Sequence, residues 1–440
     1  MPYNYVTVKA SSDLFAPATR AFGDIAVIGK GAIGSEASTT ARSFAYPSDA
    51  VTAYPKGTTE LAADAAESDT TLSTSADFPA DTVVTIGEGP NAEQRTVRST
   101  TEGKDDHFTW TLDKPLAADH ESGEQVVAQG LSDLAAAIST AFRQTPPPTR
   151  VWGVQVAHSS PDWSDGLDVA KELAVQIVVL ANTPLGQDPD TDHPVELLAK
   201  HVVEVSNTGG DGKERIGVAM LDQTLTAEEQ VALNKGAIHD GRMVLIAHKS
   251  AHDDVAAAVA GTIAGYEPHI SLLLKPLSIE MTERFTVADI DTLAAGSVNW
   301  VTSPALLPGG GLYMGEGLTA SPSGNKKYID IVRTLDDVGF RVKASLIEAI
   351  GDLRIDRPGL RTVVTLVQTV LSPLVNQGVI ESYSLHIPLL VLLERDRATL
   401  TPDEVKLIAN TRSSRAVDME VSVVYAGVIH QITVKLSLKG

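Results

Sequence analysis

Residues 132–157, SDLAAAISTAFRQTPPPTRVWGVQVA, carry the reading on which the fold class turns. A helical run from Ser132 to Phe142 leads through Pro146-Pro147-Pro148, which cannot continue a helix, into a strand at Val151–Ala157. Working outward, the same rhythm recurs. Buried strands are expected at Val175–Ala181, Arg215–Leu221, Met243–His248, His269–Leu274 and Val298–Thr302, with helical stretches at Ala227–Lys235 and Asp253–Ala264 between them. Alternation of this kind over 131–305 predicts an α/β sheet layered by helices. Upstream, a strand at Asp24–Ile28 runs into the glycine-rich Gly29–Gly34. That pairs 23–57 with 131–305 as one α/β domain.

The stretch between, 58–130, changes character. Short β-prone runs appear at Thr82–Ile86, Arg95–Ser99, Phe108–Leu112 and Glu124–Ala128, separated by turn residues. Fifteen acids face four bases here, a net charge of −11. This predicts a small, exposed, inserted all-β domain. Residues 306–440 read as an α+β domain. Tyr328–Ile350 sets Tyr328, Ile331, Leu335, Val338, Val342 and Leu346 on one helical face, and Arg361–Gln377 forms a second helix stopped by Gly378. Thr401-Pro402-Asp403-Glu404 is a capping box with proline at the first helical position.

Both ends of the chain read as arms. Residues 1–22 show no helical period and contain one short strand, Tyr3–Lys9, with Tyr3, Tyr5, Val6 and Val8 as its docking side chains. At the other end Val428, His430, Ile432, Val434, Leu436 and Leu438 alternate with polar or flanking residues as a long amphipathic strand. Residues 421–440 hold two lysines and no acid, so they suit pairing with an acidic copy by strand addition. A free edge of this kind is otherwise an aggregation hazard.

Composition narrows the function. The chain has 440 residues, 56 acids and 35 bases, for a formal charge of −21, which disfavours nucleic acid and anionic lipid. The absence of cysteine excludes disulfides, thiolate catalysis and thiolate-ligated metals. No apolar run approaches the ~18 residues of a bilayer span, and the N-terminus lacks the pattern of a secretory signal. Few lysines, dispersed acids and abundant Ala, Thr and Val suit a halophilic protein; the plainer alternative is an ordinary acidic one.

Gly29-Lys30-Gly31-Ala32-Ile33-Gly34 matches G-x-G-x-x-G after a strand, the fingerprint of a dinucleotide site. The residues after it show no helical periodicity, and Asp49, the acid some twenty residues on, is expected in a turn. Gly210-Asp211-Gly212-Lys213-Glu214 fails as a phosphate loop because Glu214 replaces the Ser or Thr. His248 and His252, with Asp253 and Asp254, are a weak metal pattern, since His248 ends a strand. Gly309-Gly310-Gly311 and Gly315-Glu316-Gly317 read as a flexible connector. No catalytic constellation, cofactor site or metal site is expected.

The order of segments resembles the tail sheath protein family of contractile phages and related injection machines. The likeness rests on Tyr46-Pro47-Ser48-Asp49-Ala50 to Lys56-Gly57, taken up again at Ser132–Ile138; on Lys213-Glu214-Arg215 before a strand; and on Ala257–Gly265 with Pro268, Ser271 and Lys275-Pro276-Leu277. Its most specific block is Gly315-Glu316-Gly317-Leu318-Thr319 leading to Lys327–Asp337, a glycine turn before a tyrosine-led helix; Glu316 departs from the basic residue usual there. The likeness covers about 22–57 and 131–440. It implies a non-enzymatic structural subunit without cofactors, stacked as hexameric rings in a helical assembly around a tail tube. It implies baseplate and tail terminator proteins as further partners, no nucleic acid or membrane insertion, and a place in a virion tail assembled in the host cytoplasm for genome ejection. A host-encoded injection device is the alternative within this class. An NAD-dependent oxidoreductase using Gly29–Gly34 is the rival from another.

Overall fold

The computed structural model describes residues 23–103, 107–186, 193–207, 212–281, 283–307, 310–321, 327–347 and 349–428. They form two compact units that part between Val332 and Arg333.

The first unit begins with β1 (Asp24–Lys30), β2 (Arg42–Phe44) and α1 (Pro47–Ala53). There follow six short strands, β3 (Thr58–Glu60), β4 (Thr71–Thr74), β5 (Val83–Ile86), β6 (Glu93–Glu102), β7 (Phe108–Leu112) and β8 (Gln125–Ala128). The α/β alternation then runs α2 (Asp133–Phe142), β9 (Arg150–Val156), α3 (Trp163–Lys171), β10 (Ile177–Leu180), α4 (Pro194–Ser206), β11 (Ile216–Met220), α5 (Ala227–Ala232), β12 (Met243–Ala247), α6 (Val255–Gly265), β13 (Pro276–Leu277), α7 (Val287–Ala295), β14 (Asn299–Thr302) and β15 (Leu312–Met314).

Nine of these strands make one sheet, in the order β13-β15-β14-β12-β11-β10-β1-β9-β2. Its centre is parallel, with Val27 opposite Val179 on one side and Gly153 on the other. Counting β1 as first, β9-β1-β10-β11-β12 is the doubly wound order 2-1-3-4-5. Helices cover both faces. Ile25 and Val27 pack under α2 and α6, while Ala26 and Ile28 pack under α3 and α4. Strands buried on both faces read as apolar runs, and for that reason β1 and β10 to β12 show in the sequence.

Three expectations are corrected. His269–Leu274 is not a strand: a turn places Lys275 N on Leu272 O at 3.1 Å, and Leu274 takes a positive φ of 56°. The short β13 follows it instead. Asp49, expected in a turn, lies in the first turn of the helix α1. The large sheet also runs on through β15, past the boundary expected at 305.

Residues 58–128 form a separate antiparallel sheet, β3-β8-β5-β6-β7-β4. It closes on itself where Leu61, just past β3, bridges Thr74 of β4, and Ala62 N donates to Ser73 O at 2.8 Å. Phe78 and Trp110 stack at 4.8 Å inside, among Leu72, Val84, Val97 and Val126. The chain enters and leaves at adjacent points, since Pro55 bridges Leu131.

The second unit comprises α8 (Ile329–Ile347, from Arg333 onward), α9 (Arg357–Asn376), β16 (Ile380–His386), α10 (Pro388–Glu394), α11 (Pro402–Ser414) and β17 (Glu420–Tyr425). The apolar stripe of α9, with Val367 and Leu371, packs with Val338 of α8 and Ile380 of β16. Leu335, expected on the buried face of α8, is 57% exposed. The first turn of that helix instead buries Ile329 and Val332, one position round, in the core of the first unit. Gly378 follows α9 with a φ of 72°, the left-handed stop that glycine supplies without strain. The capping box of α11 is present, Glu404 N donating to Thr401 Oγ1 at 3.3 Å and Thr401 N to Glu404 Oε2 at 2.8 Å.

Candidate functional site

In a sheet of this order a ligand belongs outside the carboxyl ends of β1 and β10, where the chain reverses direction across the sheet. Acidic groups line that point here. Asn182 N donates to Asp254 Oδ2 at 2.7 Å, and Asn182 Nδ2 donates to Asp133 Oδ1 at 3.2 Å. Burial pushes the Asp254 carboxyl up to about 6, and its other oxygen caps α6 through Ala257 N at 2.9 Å. Two acids at this position repel a phosphate rather than bind it.

The glycines of Gly29–Gly34 have packing reasons. A Cβ on Gly29 would stand 2.5 Å from the Ala181 Cβ, and one on Gly31 would meet the Gln155 side chain at 2.3 Å. Gly34 turns with a φ of 78°. The run leads to β2, and α1 begins only at Pro47; the helix start beside these glycines is that of α2, where the Asp133 carboxylate shares a cavity of about 250 Å³ with Gly31 and Ile33 and disfavours a phosphate. The oxidoreductase reading therefore loses its geometry.

The histidine pattern does not converge. His248 is buried at the end of β12, where burial holds its imidazole down at about 4 and its Nδ1 accepts from Ser250 N at 3.2 Å. His252 is exposed. Asp253 pairs with Arg143 and accepts from Glu280 N at 2.6 Å. Among the described residues no group of three or more His, Asp or Glu side chains is placed to hold a metal ion.

Two motifs singled out in the sequence prove to be clamps. Arg215 is fully buried, and its guanidinium donates to Ala170 O and Leu173 O at the end of α3, each at 2.8 Å, and to Lys213 O at 3.1 Å. It also meets His201 Nε2 at 3.3 Å. Burial and the Arg215 charge hold His201 down at about 4, so the ring is neutral and accepts. Nothing in the sequence around Arg215 indicates its carbonyl partners, which come from 42 and 45 residues upstream. The glycine turn at 315–319 is fixed rather than a flexible connector. Gly315 N donates to Trp300 O at 2.7 Å, and a Cβ there would lie 2.2 Å from the indole nitrogen. Asn299 spans the turn, donating to Leu245 O and Leu318 O at 3.0 and 2.8 Å and accepting from Leu318 N at 2.7 Å. Glu316 receives Gly317 N at 3.0 Å.

The expected inter-subunit residues fall differently. Tyr3, Tyr5, Val6, Val8, Ile432, Val434, Leu436 and Leu438 lie outside the described residues. Val428 is described and 46% exposed. The segment just before it, β17, pairs with β16 of the same chain, Val421 opposite Leu385 and Val423 opposite Tyr383. Among the described residues these two strands pair only with each other, and Val423 and Val424 of β17 are exposed.

No protein-family model and no curated protein matches this sequence. Among solved structures, the chain is similar to one in the helical sheath of the anti-feeding prophage in its contracted state, with a TM-score of 0.57 and 11% identity over 99% of each chain. It is similar to a chain of the six-fold symmetrised baseplate of the same particle, with a TM-score of 0.56 and 11% identity over 100% of this chain and 99% of that one. The contracted sheath complex of an extracellular contractile injection system, PVC, gives a TM-score of 0.51 and 14% identity over 69% of this chain and 80% of that one. The chain has the mixed α/β fold of contractile injection system sheath proteins.

Proposed function

We propose that this chain, which carries the sheath fold along nearly its whole length, is the structural subunit of a contractile tail sheath. Copies stack as hexameric rings in a helical assembly around a tail tube. They bind baseplate and terminator proteins at its ends and contract to drive the tube through a cell envelope. The work comes from a lattice with two packings of unequal energy rather than from a catalytic site. The observation that carries the reading is the end-to-end correspondence with sheath chains, 99% of each chain in one case. The acidic switch point argues in the same direction, because Asp133 and Asp254 oppose the phosphates that the nucleotide-dependent rival needs.

The terminal arms join the copies. Tyr3 to Val8 and Val428 to Leu438 add as strands to sheets of neighbouring subunits. The acidic segment 58–130 is an inserted domain on the outside of the assembly, where a charge of −11 stays solvated, and the particle is a virion tail assembled in the host cytoplasm. Sedimentation velocity of the purified protein tests the reading. Boundaries far heavier than a 46.4 kDa monomer are expected. A lone monomer that binds NAD at micromolar concentration contradicts it.

A further inference from the structure

We propose that a cleft between α10 and α11 docks an acidic segment from the first unit of a second copy of this chain. The cleft holds about 460 Å³. Leu393, Leu400 and Ile408 form its apolar floor, and Arg357, Arg395, Arg397 and Arg412 stand round its rim with a single acid, Asp396. Four guanidiniums over an apolar floor make a site for carboxylates that flank an apolar side chain.

The rim keeps donors to spare. A guanidinium has five N–H groups. Arg357 spends two of its nitrogens on Leu393 O. Arg395 reaches Glu404 Oε1 at 2.5 Å and Thr399 O at 3.2 Å, and Arg412 Nε reaches Ile355 O at 3.3 Å. Arg397 is exposed and its side chain makes no hydrogen bond or ion pair among the described residues. Asp396 is already engaged, its Oδ1 accepting from Ala398 N at 3.0 Å. Positive charge at the rim is thus only partly answered from within the second unit.

Charge along the chain selects the occupant. Residues 333–440 carry 13 bases and 12 acids, whereas 23–332 carry 20 bases and 43 acids. The chain's negative charge lies wholly on the first unit's side of the division, and the basic cleft lies on the other. Copies in a repeating assembly present both surfaces to one another, and complementary potentials fix which patch meets which. This rests on the sheath reading only for the presence of a second copy.

The test places a photo-reactive group at the cleft by Val405→p-benzoylphenylalanine, using a 1:1 mixture of isotope-labelled and unlabelled full-length protein. Val405 lines the cleft and is 44% exposed, so the change leaves the arginines in place. Cross-links from position 405 to residues 23–332 of the other isotope are expected. Cross-links confined to one copy, or to residues 333–440, overturn the inference. In parallel, Arg397→Glu with Arg412→Glu raises the concentration needed for assembly by about tenfold or more, and Arg397→Lys leaves it within about twofold. A folded double variant, checked by circular dichroism, that assembles at the wild-type concentration also overturns it. A wild-type chain that never self-associates contradicts the sheath reading, which separates the two failures.

Discussion

Arg215 and His201 show how a single buried contact ties the layers together. Arg215 sits fully buried just before β11, and three carbonyls together with a neutral imidazole accept or meet its guanidinium. The imidazole must stay neutral to accept, and its pKa is lowered from 6.5 to about 4. A histidine depressed in the folded state contributes stability that is present above its unfolded pKa and lost as pH falls through the folded value. His201→Gln keeps an acceptor and removes the titration. Between pH 7 and 4.5 the wild type is expected to lose about 2 to 3 kcal/mol more than this variant, from a shift of about 2.5 units at 1.36 kcal/mol each. Urea denaturation at the two pH values measures the difference. Equal losses would show that His201 is not the acid-sensitive group.

Among the elements, what the sequence reveals depends on where the partners come from. The strands β1 and β10 to β12 are legible because both of their faces are buried and their centres are apolar runs. The cap at Thr401 is legible because its partner lies three residues on. The strands β3 and β4 are not. Thr58-Thr59-Glu60 and Thr71-Leu72-Ser73-Thr74 are largely polar, and they become strands through pairing with β8 and β7, which lie distant in the chain. His269–Leu274 misleads for the opposite reason, an apolar run bent by a local turn. The clamp on Arg215 and the packing of Gly29 are illegible locally, since their partners are distant in the chain. The six-stranded sheet of 58–128 has its own core around Trp110 and enters and leaves at the Pro55–Leu131 bridge. Deleting 58–129 and closing the gap with a short glycine linker is therefore expected to leave the rest folded. A two-state melt and a helical far-ultraviolet spectrum check it; a chain that fails to fold contradicts the insertion reading.

At the scale of the whole molecule, charge and the chain ends set behaviour. With 56 acids against 35 bases, repulsion is screened as the Debye length shortens from ~10 Å at 0.1 M salt to ~3 Å at 1 M. The halophilic reading expects the melting temperature to rise across that range, and an unchanged value counts against it. The terminal strand is probed by Ile432→Pro with Val434→Pro, which removes two backbone donors. Particles that stay folded by circular dichroism yet form neither rings nor tubes are expected, whereas assembly like the wild type rules out strand exchange. The sheath assignment itself is tested most directly by negative-stain electron microscopy of the purified wild-type chain. Striated tubes or six-fold rings are predicted; a uniform field of particles no larger than a 46.4 kDa monomer would contradict the account.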